Sequence, residues 1–457
     1  MMYDWTEPWA HAALAWDIRL VSQSGPSAWM QRRDRRLRKL LELAAARSAL
    51  HAGAPAANGE DEPMAWLARW PVMHKPALMR RFDASLTDGS ITLAALESFM
   101  TDPSRIGTLY DDRVMAWESS GSSGKPGVFV HDAQALRVYD QLESLRRPPV
   151  ITGIGPIAFV GATQGHFASV CTIERLRRLG PLAAACMRSF SFMQPMAQLV
   201  AQLNAYRPAV LASYPSTASL LADEQEAGRL TIHPLSIWTG GETLTPAVRR
   251  LVRRAFDAPV INSYGASEFL AIGCECRHGA MHLNADWVIL EPVDGHMRPV
   301  APGELGATTL LTNLANHLQP LIRYDIGDRV RIDPRPCVCG SPLPVIDVQG
   351  RCDDSLVLRA KDGHPVSLPP LALVGLLEND AGMFDFQLVQ HGADRLRLDL
   401  RGNGSTSGRQ WGLAREVLRA YLRTQGLANV RLTHRCGVKQ APGRSGKLQR
   451  VVAYPRA

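Results

Sequence analysis

The chain has 457 residues, 46% hydrophobic and 21% charged, and 51 lysines and arginines against 43 acidic residues give a formal charge of +8. That length exceeds what one core usually supports and predicts at least two domains, one of them large, in an ordinary soluble globular protein. The positive excess falls in runs such as QRRDRRLRK, which read as the solvated face of a helix and would favour an anionic substrate; no nucleic-acid partner is expected.

The N-terminus, MMYDWTEPW, is acidic and aromatic where a signal peptide needs basic residues before an apolar stretch. VITGIGPIAFVGA is too short and too glycine-rich to span a bilayer as a helix. A cytoplasmic protein with no membrane contact is therefore expected, its eight cysteines reduced. Leu and Ala at helical spacing in LRKLLELAAARSALH and LAALESFM predict helices across about 28–100, interrupted by the linker HAGAPAANGEDEP.

The stretch SSGSSGKPG, from Ser119 to Gly127, follows the apolar RVMAWE. A loop this small and polar cannot pack a core, but its backbone can approach an anion closely and aim several N–H groups at it. It is not a Walker loop, because only two residues separate Gly121 from Gly124 and Pro126 follows Lys125. The rival reading of this stretch by itself is a flexible linker. Beyond it, short apolar runs alternate with helical patterns: PIAFVGA, ERLRRLGPLAAACMRSF, PAVLASYP, TASLLADEQEAG, LSIWTGGE, PAVRRLVRRAF and PVINSYG. This alternation predicts an α/β layer fold with parallel strands, whose ligands gather at the carboxyl ends of the strands. Past Asp286 the texture is more β-like, in WVILEPVD, GATTLLTNL and RVRID, and a second break near Gly350 precedes a smaller unit ending in APGRSGKLQR. GIGPIAFVG lacks the third glycine of a dinucleotide fingerprint.

Five stretches then recur in one order. SSGSSGKPG resembles the phosphate loop of the adenylate-forming enzymes, SYGASEF their YGxTE motif, RYDIGD their YxxGD motif, GRCDDSL their hinge, and GRSGKLQR their C-terminal lysine motif. Within that superfamily RYDIGDRV, the Gly240–Glu242 triplet, CECRHGAMHLNAD and PCVCGSPLPVIDVQGR are most similar to the phenylacetate-CoA ligase family. A likeness to the synthetase that adenylylates a deazaflavin coenzyme is also present. The resemblance implies an α/β fold with a large N-terminal adenylate-forming domain of mixed and parallel sheets, 1–350, and a small mobile α+β lid domain, 351–457. It implies an enzyme that activates an aromatic carboxylic acid with ATP as acyl-AMP, then passes it to a thiol, either coenzyme A or the phosphopantetheine of an acyl carrier protein. The alternative is an adenylyltransferase that leaves AMP on its substrate. A homodimer is the implied assembly.

The resemblance also assigns roles. Ser119, Ser120, Gly121, Ser122, Ser123, Gly124 and Lys125 would cradle phosphates, and Gly241, Glu242, Tyr264 and Gly265 would line the nucleotide. Ser267 and Glu268 stand where oxygen ligands for Mg2+ are needed, although Ser267 reads equally as a helix N-cap. Asp328 would accept hydrogen bonds from the ribose hydroxyls, though an Asp after Gly is commonly a turn residue. Arg351 would reach ribose or phosphate, Asp353 is the hinge, and Lys447 would contact the α-phosphate and carboxylate. His166, Phe167, Tyr214, Trp238, Gly240 and Phe269 are candidates for the acid pocket, suited to a planar ring, and core packing explains each as well.

The cysteine pattern stands apart. Cys274, Cys276, His278 and His282 fall in one segment and Cys337 and Cys339 in another, a spacing that fits tetrahedral structural zinc in the region 274–339. Cys276, His282, Cys337 and Cys339 align with metal-bearing relatives, and Cys274 and His278 are alternates. The rival, catalysis by a free cysteine, lacks an evident base.

Overall fold

The computed structural model describes residues 8–56, 62–119, 126–148, 155–192, 194–351, 356–368, 370–400, 405–438 and 450–452. Its N-terminal third is helical: Pro26–Arg47, Pro63–Ala68, Lys75–Arg80, Phe82–Ser85 and Leu93–Met100 occupy the expected stretch. Pro63 and Pro26 open their helices, where the missing N–H removes nothing the helix uses. A further helix, Pro8–Gln23, precedes them. It buries Ile18 and Val21 one turn apart against Trp29.

The centre of the molecule is a nine-stranded mixed sheet. Five neighbours run parallel: Met187–Ser191, Ile157–Gly161, Val210–Ser213, Ser236–Gly240 and Val260–Ala266. Then the sheet reverses. Phe269–Glu275, Met281–Leu283, Val345–Arg351 and Asp328–Asp333 continue it as antiparallel strands. The parallel half carries the strands expected from the alternation, and it also includes Met187–Ser191, which the sequence reading had placed inside a helical run. Arg188 and Phe190 share one face of this edge strand, where Phe190 is buried and the exposed Arg188 lays its guanidinium 5.0 Å from the Phe190 ring centroid.

Alternate residues of the sheet feed two cores. Ala158 and Val160 pack with Leu211, Leu221, Ile237, Val248 and Leu251 on one face. Phe159 joins Trp117, Phe129, Tyr139 and Phe269 on the other. A separate apolar cluster runs from Leu356 to Val451, around a four-stranded sheet of Arg431–Arg435, Arg395–Leu400, Phe386–Gln390 and Val451–Val452, with helices Pro370–Asn379 and Ser405–Thr424 packed together. The two regions meet at a buried carboxylate: Glu378 accepts from the hydroxyl of Thr245 and pairs with Arg450. Thr245 also caps the helix Pro246–Phe256 by accepting from the N–H of Val248. Among the described residues no helix is long and apolar enough to cross a membrane.

Candidate functional site

The site gathers where the sheet changes from parallel to antiparallel. Val260–Ala266 and Phe269–Glu275 form a hairpin whose loop is two residues long, Ser267 and Glu268. Two-residue loops are normally type I′ or II′ turns, which need positive φ and hence Gly or Asn. Neither Ser267 nor Glu268 has positive φ, so the turn is not of that kind. The strand leading into it is irregular as well: the register shifts between Tyr264 and Ala266. Gly265 sits in that irregularity because a Cβ there would lie 2.0 Å from the carbonyl oxygen of Leu270.

The turn is held from beneath instead. Trp117 Nε1–H and His131 Nε2–H both donate to the Ser267 carbonyl, at 2.8 and 3.0 Å. Asn313 Nδ2–H donates to the Glu268 carbonyl at 2.8 Å and to Tyr139 Oη at 3.0 Å. Tyr139 in turn donates to His131 Nδ1, 3.1 Å away. Trp117, His131 and Asn313 are fully buried. The Trp117 and His131 rings stack at 4.1 Å, and burial pushes the His131 imidazole down to about 3, so it is neutral.

Trp117 and His131 belong to one antiparallel hairpin, Met115–Glu118 with Val128–His131. Its tip is the SSGSSGKPG loop. At the stem, Ser119 N–H donates to the Gly127 carbonyl and Gly127 N–H donates to Ser119 Oγ, both at 2.8 Å. Ser120, Gly121, Ser122, Ser123, Gly124 and Lys125 lie outside the described residues, as do Asp353 and Lys447.

Two further motifs converge on the hairpin. Tyr264 Oη–H donates to Asp328 Oδ2 at 2.6 Å. Asp328 opens its strand directly opposite Arg351, so the YxxGD and hinge motifs are cross-strand neighbours. Beside them, Gly240 and Gly241 end the neighbouring parallel strand, and the carboxylate of Glu242 accepts from Ser216 N–H and Oγ–H, both at 3.0 Å. Ser216 lies in the first turn of the helix Pro215–Glu226, whose orphan N–H groups and dipole favour a carboxylate.

The acid-pocket candidates occupy different surroundings. Phe167 and Tyr214 are buried, and Tyr214 packs edge-on to Phe159 and Phe192. His166 is buried with Nε2 3.2 Å from the Asp102 carbonyl, while its Nδ1 has no hydrogen-bond partner among the described residues. Burial holds its imidazole below the usual range. Trp238 is half-buried under the guanidinium of Arg147, 4.1 Å from the ring centroid. Phe269 is fully buried against Tyr139 and serves the core.

At the far end of Phe269–Glu275 the thiols assemble. The ligand atoms of Cys276, His282, Cys337 and Cys339 all lie within 4.8 Å of one another. Cys276 and Cys337 sulfurs are 4.0 Å apart, and Cys339 Sγ is 3.3 Å from His282 Nε2. Tetrahedral zinc with thiolate and imidazole ligands spaces its donors by roughly 3.5–3.8 Å, so the four fit that ion. His282 Nδ1–H donates to the Leu343 carbonyl at 3.0 Å, which leaves Nε2 as the ligand. Each cysteine segment turns at a glycine, with Gly279 N–H donating to Cys276 O and Gly340 N–H to Cys337 O; both glycines have φ near +80°. Cys274 and His278 stand outside the quartet. Burial pushes the Cys274 thiol up to about 12, and the exposed His278 accepts from Arg277.

No protein-family model matches the chain. It is 25% identical over 203 residues to Protein CapK of Staphylococcus aureus, covering 43% of this chain and 42% of that one. It is 26% identical over 271 residues to the phenylacetate-coenzyme A ligase of Escherichia coli K12, covering 55% and 58%. The matches thus span about half the length of these relatives. The fold superposes on a crystal structure of 2-hydroxyisobutyryl-CoA ligase in the postadenylation state, with 2-HIB-AMP, at a TM-score of 0.64 and 20% identity, covering 94% of this chain and 89% of that one. This is the fold of the adenylate-forming enzymes. By sequence the chain lies near the phenylacetate-CoA ligase family within that superfamily.

Proposed function

We propose that the chain is an AMP-forming acid–thiol ligase that activates an aromatic carboxylic acid as acyl-AMP and transfers the acyl group to coenzyme A. The observation that carries this reading is the meeting of three distant motifs: Tyr264 bonds Asp328, Asp328 faces Arg351 across the ladder, and Glu268 lies three residues past Gly265 on the same hairpin. In this arrangement Asp328 accepts from the ribose and the ring of Tyr264 lies along the adenine. The loop from Ser119 to Lys125 grips the phosphates, and Glu268 with Ser267 offers oxygens to a phosphate-bound Mg2+. Donors fixed before the reaction stabilise the charge that moves at phosphorus without reorganising. His166, Phe167, Tyr214, Trp238 and Gly240 wall the acid. Cys276, His282, Cys337 and Cys339 hold a structural zinc, and 351–457 is a rotating lid that carries Lys447 in for the first half-reaction and out for the second.

Acid-dependent exchange of labelled pyrophosphate into ATP tests the first half. A panel of benzoates, phenylacetates, cinnamates, fatty acids and 2-hydroxyisobutyrate, offered with coenzyme A and with a phosphopantetheinyl carrier protein, tests the rest. Aryl acids should turn over fastest; a fatty acid or 2-hydroxyisobutyrate outpacing every aryl acid overturns the aryl assignment, and a stable AMP-bearing product in place of a thioester overturns the transfer step. Lys447→Ala should lower exchange by about a hundredfold or more while still converting supplied acyl-AMP to thioester.

A further inference from the structure

We infer that Trp117, His131 and Asn313 are positioning residues which hold the Glu268 turn in the geometry that binds Mg2+–ATP, and which join that turn to the stem of the phosphate loop. The inference deepens the function proposed above and rests on the role given there to Glu268.

The argument begins with what the turn lacks. A two-residue hairpin loop without positive φ does not match the twist of its strands and gains little from its own backbone. Its two carbonyls point into the protein, where each needs a donor. Ser267 O receives two and Glu268 O receives one, all from side chains on other elements. Those side chains are themselves fixed. Asn313 Oδ1 accepts from the N–H groups of Ala315 and Asn316, at 2.9 and 3.1 Å, which leaves its Nδ2 aimed at Glu268 and Tyr139. His131 has one tautomer that satisfies both ring nitrogens: Nε2–H toward Ser267 and a bare Nδ1 toward the Tyr139 hydroxyl.

The same contacts couple two parts of the site. Trp117 and His131 sit on the hairpin whose tip is the loop beginning at Ser119. A shift of that hairpin therefore moves the Ser267 carbonyl, and with it the carboxylate on the next residue. Because all three donors are uncharged, they fix the turn without competing electrostatically for the cation or the phosphates. Charged supports placed equally close would change the field at the ligand.

The test is binding of a fluorescent ATP analogue to the purified full chain as Mg2+ is titrated, beside thermal melting of each variant. His131→Leu removes the donor, and His131→Gln restores one at nearly the same place. Trp117→Phe keeps an aromatic ring while removing the N–H with the rest of the pyrrole, a milder change at a second position that guards against a leucine variant that fails to fold. The Mg2+ concentration at half-saturation should rise about tenfold or more in His131→Leu, as for loss of a group that orients a metal ligand. It should rise less in Trp117→Phe and return most of the way in His131→Gln. Folded variants with the wild-type Mg2+ requirement would overturn the inference, as would a glutamine variant as impaired as the leucine one. Wild-type protein whose ATP binding ignores Mg2+ overturns the role of Glu268 itself, a separate and recognisable failure.

Discussion

One strand, Phe269–Glu275, has a turn at each end, and the surroundings of the two differ: the Cys276 turn closes on its own backbone at Gly279, whereas the Glu268 turn leans on other elements. At the Glu268 end the carbonyls are tied by buried, uncharged donors on surrounding elements. At the Cys276 end the chain emerges into a thinly covered corner. Cys337 and Cys339 are only half-buried there, and Val338 between them is 84% exposed. An apolar shelter can make three hydrogen bonds decisive, since a buried carbonyl has no water to turn to. A corner without shelter gains less from hydrogen bonds, and the proposed zinc would supply stronger links there through thiolates and an imidazole. On this reading, precision at the proposed site comes from the core, and cohesion at the periphery would come from the proposed metal.

The largest expected effect separates the two ends. If zinc is held at a thousandfold over its dissociation constant, removing it withdraws about 4 kcal/mol from the folded state. Treatment with a strong chelator, or Cys337→Ser, should lower the melting temperature by roughly 4–6 °C. Exchange activity per folded molecule should be unchanged at low temperature. Activity that falls in step with metal content, before any melting, would break the division between the two ends.

Next comes Glu268→Gln, which keeps the turn and its carbonyl contacts but removes the anionic ligand. Acyl-AMP formation should drop about a hundredfold, corresponding to about 2.7 kcal/mol, with the melting temperature within a degree or two. An equal loss of stability would show that the carboxylate serves the fold.

A third effect concerns pH. His131 ordinarily titrates near 6.5 and is pushed down to about 3 by burial. Between those values the unfolded chain binds one more proton than the folded chain, so stability rises with pH across that window and is lost as pH falls through it. The slope reaches at most about 1.4 kcal/mol per pH unit. His131→Gln removes this term, so denaturant titrations should show a shallower acid limb for the variant. Parallel curves would mean that the ring is not held neutral.

Much of this site was legible in the sequence because its chemistry needs residue types that are rare in combination. Three glycines with serines and a lysine, or two cysteines one residue apart, mark themselves. The four candidate ligands were legible for that reason, with Cys276 preferred to Cys274 by resemblance; the strand, which ends at Glu275, leaves Cys274 inside the sheet and outside the quartet. The support beneath Glu268 was not legible. Trp117, His131 and Asn313 are far apart in the chain and have no mutual spacing. The signal available was a polar residue closing a buried strand, as in VFVH and TTLLTN. Such residues are costly inside a core unless something specific answers them. The edge strand Met187–Ser191 was missed because its single buried aromatic resembles a helical spacing when read beside PLAAAC.

The ligand quartet also changes how far the chain must search for itself while folding. Tyr264 and Asp328 stand 64 residues apart along the backbone. Cys276 lies between them and Cys337 lies shortly beyond Asp328, so a metal ion bridging the two cysteines would cut the connecting path to roughly a third, and closing the remaining loop would cost about 1 kcal/mol less entropy. A metal bound early would act as a shortcut, bringing Tyr264 and Asp328 together several times more often than the bare chain could.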